Sequence, residues 1–205
     1  MIGVVQQGGL WVLTLNRPEK ANAVTKAMLE ELDAAVARAA LSGATALILT
    51  GAGKVFSAGA DLEAARAGLA IDPVWERLSA RIAGFAGMTI AALNGSLAGG
   101  AMGMALACDL RIAVPDARIF YPVMRLGFLP QPSDPVRLAA LVGPSRAKMI
   151  LMAGAKIGAE EALAWGLIDR IYAPDELMDQ ARALAADALA AKAGHAAAIK
   201  AMLRG

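Results

Sequence analysis

From Gly84 to Cys108 the chain carries no charged residue, and this stretch limits the possible folds more than any other. It is long enough to cross a bilayer as one helix. Gly99 and Gly103 even have the spacing of a close helix–helix contact. Yet Asn94-Gly95-Ser96 divides the run as a turn would. A short strand, a turn and a buried helix produce the same hydropathy as one long helix. We therefore read the run as the centre of a soluble α/β core with no membrane association.

The wider composition agrees. The 205 residues suit one domain, or one domain with a helical appendage. The chain is 58% hydrophobic with a mean hydropathy of +0.52, and much of this is alanine, which packs helices closely. A net charge of +2, no long Lys/Arg run and only 4% aromatics argue against nucleic acid as a partner. Cys108 is the single cysteine, so neither an internal disulfide nor a CxxC site can form. His195 is the single histidine, which disfavours a metal site. The start, Met1 to Val5, lacks the basic and apolar regions of a secretion signal, so the cytoplasm is expected.

Periodicity outlines the elements. Val4–Gln7 and Leu10–Leu15 predict a hairpin around Gly8-Gly9. Thr25 predicts the cap of a helix to about Ala40, with Met28, Leu29, Leu32, Val36 and Ala39 on one face. Ala44–Thr50 reads as a buried strand. Helices are expected from Asp61 and again from Pro73 to about Phe85. Thr89–Leu93 predicts a strand, Asn94–Gly99 a loop and Gly100–Ala107 a helix. Leu110–Val114 reads as a strand and residues 127–135 as a loop. Short helices follow near 136–141, 145–153 and 159–165, then a strand at 168–172. From Asp175 the chain is Ala-rich and helical. Such alternation favours a parallel-rich sheet, whose ligands sit at the carboxyl ends of strands.

Two Gly/Ala-rich turns follow strands. The first is Phe56-Ser57-Ala58-Gly59-Ala60-Asp61, and the second runs from Asn94 to Gly100. Small residues let a ligand approach the backbone. The start of a helix offers N–H groups without partners and a partial positive charge. Two converging amides would hold an oxyanion or enolate oxygen, though tight packing turns would look the same.

Further segments carry a resemblance. Leu15–Ala23 (LNRPEKANA), Phe56–Asp61, Ile90–Gly95 (IAALNG), Ala107–Ala113 (ACDLRIA) and Ala159–Ile168 (AEEALAWGLI) are collinear with the crotonase, or enoyl-CoA hydratase/isomerase, family. The chain resembles that family over essentially its whole length. The resemblance implies a spiral core of ββα repeats, over about residues 1–172, followed by a C-terminal helical region, 173–205. It implies an acyl-CoA thioester as ligand, with coenzyme A part of the substrate and no separate cofactor, and assembly as a homotrimer or hexamer. It places oxyanion-hole amides at Ala58 and Gly100, and contacts to coenzyme A at Lys20, Ala21, Ala23, Ala58, Gly59, Ala60, Asp61 and Gly100.

Departures from the family pattern matter as much. Hydratases of the family place two glutamates where this chain has Gly103 and Val123. Neither side chain can move a proton. The expectation is thus an oxyanion hole without its usual acid–base pair, suited to double-bond isomerisation or other enolate chemistry. A member that only binds CoA esters or scaffolds an oligomer is the rival. A residual hydratase working through a relayed proton is a third reading. Asp134 is the candidate base or nucleophile, with a helix cap before Val136 as its alternative role. Tyr121 and Arg125 flank Val123 and read otherwise as a packed phenol and a surface cation. The family commonly continues past the position of Gly205 with helix that covers the acyl pocket, so a more open site is expected.

Other candidates carry less. Gly51-Ala52-Gly53-Lys54 lacks the earlier glycine and the Ser/Thr of a phosphate-binding loop. Ser57 is not in a nucleophile elbow, and His195 lies in an Ala-rich tail. Glu63 reads as a solvated helix position, Cys108 as core, and Asp109 as a structural ion-pair or capping residue.

Overall fold

The structure is a computed structural model that describes residues 1–203. Residues 204 and 205, the end of the expected helical region, lie outside the described residues. The chain opens with the antiparallel hairpin β1 (Ile2–Gln7) and β2 (Leu10–Leu15), turned at Gly8 with φ 58°. Helix α1 (Lys26–Leu41) starts where Thr25 accepts a hydrogen bond from the Met28 amide at 3.3 Å. Its buried face includes Met28, Leu29, Leu32, Val36 and Ala39. This is the stripe that the period of 3.6 predicts.

From there strands come in pairs that divide between two sheets. The first member of each pair joins the large sheet: β3 (Ala46–Gly51), β5 (Met88–Leu93) and β7 (Leu110–Ala113). The second joins a small sheet: β4 (Val55–Ser57), β6 (Ser96–Ala98) and β8 (Arg118–Phe120). Helices α2 (Leu62–Arg66), α3 (Val74–Ala83) and α4 (Met102–Leu106) return the chain between pairs. Each repeat stacks on the last, giving the expected spiral of ββα units. After β8 come α5 (Val123–Leu126), α6 (Asp134–Val142) and α7 (Pro144–Leu151). Then β9 (Ile157–Gly158) closes the small sheet antiparallel to β8. Helix α8 (Ala159–Trp165) leads to β10 (Arg170–Ile171), the last strand of the large sheet. Helix α9 (Leu177–Ala190) buries Leu177, Ala181 and Ala185 and packs over β3, β5 and β7. Helix α10 (His195–Met202) ends the described chain.

The large sheet runs β1-β2-β3-β5-β7-β10 and the small one β4-β6-β8-β9. The uncharged run supplies β5, β6 and α4, and both Thr89–Leu93 and all of α4 are buried. No helix among the described residues is long and apolar enough to cross a membrane.

The expected loop at 94–99 is a correction, since Ser96–Ala98 is a strand. The reason lies in the corner before it. Asn94 accepts from the Gly51 amide at 3.0 Å and donates to the Gly53 carbonyl at 2.9 Å. A Cβ on Gly95 would lie 2.0 Å from the Lys54 carbonyl oxygen. One corner of the spiral thus rests on the next, and β6 must pair in parallel with β4.

Candidate active site

The two Gly/Ala-rich turns leave β4 and β6, which are adjacent parallel strands. They therefore emerge side by side at the carboxyl edge of the small sheet, as ligand sites in such sheets do. The turns touch. Gly59 has φ 91°, and a Cβ there would stand 2.8 Å from the Ala98 carbonyl oxygen. Against them lies a cavity of about 360 Å³. Ala58, Ala60 and Gly100 line it, with Arg66, Trp75, Tyr121, Val123 and Gln131 among the other walls. Trp75 donates its indole N–H to the Leu69 carbonyl, and its ring packs where a side chain on Gly100 would sit.

The amide expected at Ala58 needs correction. Its N–H donates to the Ala21 carbonyl at 3.0 Å, so it is spent within the chain. Ala60 is placed differently. A parallel bridge joins it to Val24 through the Gly59 carbonyl and the Asp61 amide. In parallel pairing those neighbouring groups face the partner, and the bridged residue's own N–H faces away from it. Ala60 N–H therefore turns from Val24 while the residue lines the cavity. Gly100 N–H lies in the 3-10 turn Gly99–Ala101, ahead of that turn's first internal hydrogen bond. Neither Ala60 N–H nor Gly100 N–H donates to a protein acceptor among the described residues. The helices that follow, α2 and α4, have five residues each. The amides thus act as individual donors more than through a helix dipole.

The expected coenzyme A contacts divide in the same way. Ala58, Ala60 and Gly100 are on the wall, while Lys20, Ala21, Ala23, Gly59 and Asp61 are not among the residues lining the cavity. Asp61 has structural partners. It caps α2 through the Glu63 and Ala64 amides and accepts from Arg17 at 2.8 Å. The Arg17 hydrogen bond holds its carboxyl below the usual range. Ala21 and Asn22 both have positive φ, 50° and 53°. Buried Asn22 fixes this shape by accepting from the Arg17 amide and donating to the Ala52 and Val55 carbonyls. Ser57 donates to the Asn22 carbonyl and accepts from the Gly59 amide.

Asp134 does not cap α6. It is the first residue of that helix, after Ser133, and its side chain turns inward. The carboxylate is fully buried and accepts from the Tyr121 hydroxyl at 3.0 Å through Oδ2. Oδ1 has no hydrogen-bond partner. A Cβ on Gly103 would stand 2.8 Å from that oxygen. The carboxylate of α6 thus occupies the space that a side chain at Gly103 would need. Burial raises its pKa to about 7; the Tyr121 hydrogen bond and the Arg137 charge oppose the rise, and Glu76 adds to it. Burial also pushes the Tyr121 hydroxyl upward.

The remaining candidates fall where their residue types suggest. Glu63, Arg125 and His195 are exposed. Cys108 is buried, and burial pushes its thiol up to about 12. Asp109 accepts from Thr89 and pairs with Lys200 at 2.6 Å. Among the described residues no group of three or more His, Cys, Asp or Glu could hold a metal ion. Nothing in the residue pattern marks Trp75 or Arg66 as wall residues, yet both line the cavity. The choice between Ala58 and Ala60 also had no sequence signal, because it depends on which edge of a bridge each amide faces.

Comparison with known proteins agrees with this architecture. The family model for enoyl-CoA hydratase/isomerase matches residues 5–205. The short-chain-enoyl-CoA hydratase of Clostridium acetobutylicum is 36% identical over 191 residues, 88% of this chain and 72% of that protein. The carnitinyl-CoA dehydratase of Escherichia coli K12 is 37% identical over 193 residues, 89% of this chain and 72% of that protein. The crystal structure of an enoyl-CoA hydratase from Bacillus anthracis superposes with a TM-score of 0.91 at 29% identity, covering 100% of this chain and 82% of that one. The chain belongs to the enoyl-CoA hydratase/isomerase family.

Proposed function

We propose that the chain binds an acyl-CoA thioester in this cavity and stabilises its enolate with the amides of Ala60 and Gly100. The observation that carries the reading is that Ala60 and Gly100, whose N–H groups have no protein acceptors among the described residues, line one cavity walled mainly by apolar side chains. Out of bulk water such donors act strongly on developing negative charge, and one is worth on the order of 3 kcal/mol in a transition state. The two related proteins named for CoA-thioester reactions support the ligand class.

The reaction that fits is isomerisation or another enolate reaction in place of hydration. Water addition needs carboxylates to hold and activate water, and Gly103 and Val123 offer none. The carboxyl linked to the wall is Asp134, through the Tyr121 hydroxyl. In this reading Tyr121 passes a proton between the acyl group and Asp134. A binding-only role is the second reading. It is favoured by the position of the Asp134 carboxyl, which is buried behind Tyr121 and is not itself part of the wall.

The test is C2–H exchange of butyryl-CoA in deuterium oxide, run beside hydration of crotonyl-CoA and isomerisation of 3-enoyl-CoA. Exchange without hydration supports the enolate reading. Binding without exchange moves the chain to the second reading, and rapid hydration contradicts the first.

A further inference from the structure

Resting on the reading of the cavity as an acyl-CoA pocket, we propose that Asp134 sets the direction of the Tyr121 hydroxyl proton, and so decides whether the wall offers a bound acyl group a donor or an acceptor.

The argument counts hydrogen-bond positions on one oxygen. A phenol has one proton and two acceptor positions. The Gln131 N–H, 3.4 Å away, takes one acceptor position on Tyr121. Ionised Asp134 has no proton to give, so at 3.0 Å it must receive the phenolic proton. Tyr121 lines the cavity, and the one position left on its oxygen is then an acceptor. Neutral Asp134 carrying its proton on Oδ2 reverses the bond. Its O–H donates to the phenol oxygen and fills the second acceptor position, and the Tyr121 O–H turns to the cavity.

The surroundings bring both states within reach. Asp134 is fully buried, and its Oδ1 has no partner. An unpartnered charged oxygen costs more than an unpartnered neutral one. The groups facing this carboxyl are Tyr121, Arg137 of α6 and Glu76 of α3. Arg137 favours the ionised form, and Glu76 opposes it. Arg137 is itself tied to Ser79, which donates to the Gly103 carbonyl at 3.1 Å. Ser133 bonds Glu76 and secures the start of α6. From α4 Gly103 faces the carboxyl, and none of that helix's five residues is charged. Glycine there lets the carboxylate keep this position, since a Cβ would force it to shift. A pKa near 7 puts the change of state close to neutral pH.

A substrate preference follows. Below the transition the wall donates, favouring an acyl group with a carbonyl oxygen beyond the thioester. Above it the wall accepts, and that advantage is lost. Asp134 is a positioning residue, and Tyr121 is the group that would touch the acyl chain.

The experiment compares 4-oxopentanoyl-CoA, whose extra carbonyl does not make the ligand ionise in this pH range, with pentanoyl-CoA, which lacks it. The affinity ratio cancels titration of the CoA phosphates, which both ligands share. In the wild type the ratio should fall roughly tenfold as pH rises from 5.5 to 8.5, the value of one hydrogen bond. Asp134→Asn should make the ratio independent of pH, because the amide does not titrate in this range. Tyr121→Phe should hold it at the low level. A wild-type ratio independent of pH, with both ligands bound, overturns the switch but leaves the pocket reading intact. No binding of either ligand at any pH overturns both. Without any ligand, 13C NMR of the carboxyl should show Asp134 titrating near neutrality together with the Tyr121 ring signals. A ring that ignores that titration also overturns the proposal.

Discussion

The segment from Arg17 to Val24 and the cavity wall lie on either side of the Ala58–Asp61 turn, and their polar groups are used in opposite ways. On the Arg17 side the bonds are closed. Asn22 makes three of them, Ala21 takes the Ala58 amide, and Asp61 serves both Arg17 and the start of α2. On the cavity side, Ala60 N–H and Gly100 N–H have no protein acceptor among the described residues. Buried polar groups are ordinarily satisfied. The saturated side therefore reads as structure, and the unsatisfied side as the place where a ligand supplies what is missing. Family likeness alone assigns both sides to the ligand.

The contrast can be broken most forcefully at Asn22. Asn22→Ala leaves the Arg17 amide and the Ala52 carbonyl without partners and the Val55 carbonyl with only its bond from Asn94 at 3.3 Å, and should cost about 3 kcal/mol of stability in urea denaturation. A loss below about 1 kcal/mol would mean that the Arg17 side is not the rigid half.

A smaller effect of different character is expected at Asp134. Its pKa in the folded chain is raised to about 7 from an ordinary 3.8. Between those values the folded chain holds a proton that the unfolded chain releases. Stability should therefore be greatest below pH 4 as far as this group is concerned, fall as pH rises, and level off above about 7. Asp134→Asn removes this slope, for a relative gain on the order of 2 kcal/mol at pH 8. Equal pH profiles in wild type and variant would place the carboxyl in a more polar setting than the structure gives it.

The smallest change belongs to Asp61. Asp61→Ala removes a cap and an ion pair and should lower Tm by about 3 °C. Affinity for butyryl-CoA should stay within about threefold, since Asp61 is absent from the wall. A large loss of affinity with unchanged Tm would move Asp61 to the ligand side.

What the sequence made legible follows from what periodicity can express. Helix α1 and the strands of the large sheet carry enough residues to show a stripe or a run, and they lie close to their expected bounds. The small sheet escaped because β4, β6 and β8 have three residues each, too few for a period. That sheet is what holds the two turns together. The turns were found by composition, but not the facing of their amides, since Ala58 and Ala60 are the same residue type with opposite bonding. Asp134 was singled out, yet its relation to Gly103 was not. Those residues lie on different helices, and only the packing of α6 against α4 makes one side chain fill the space of the other.

Replacing single backbone amides by esters tests the central claim most directly, because it removes one N–H and leaves every side chain in place. With lactic acid in place of Ala60, C2–H exchange of butyryl-CoA should slow on the order of 100-fold, at nearly unchanged stability. The same replacement at Ala58 should cost about 1 kcal/mol of stability, from the lost bond to Ala21, and leave exchange nearly unchanged. Slow exchange from the Ala58 ester and normal exchange from the Ala60 ester would contradict the account.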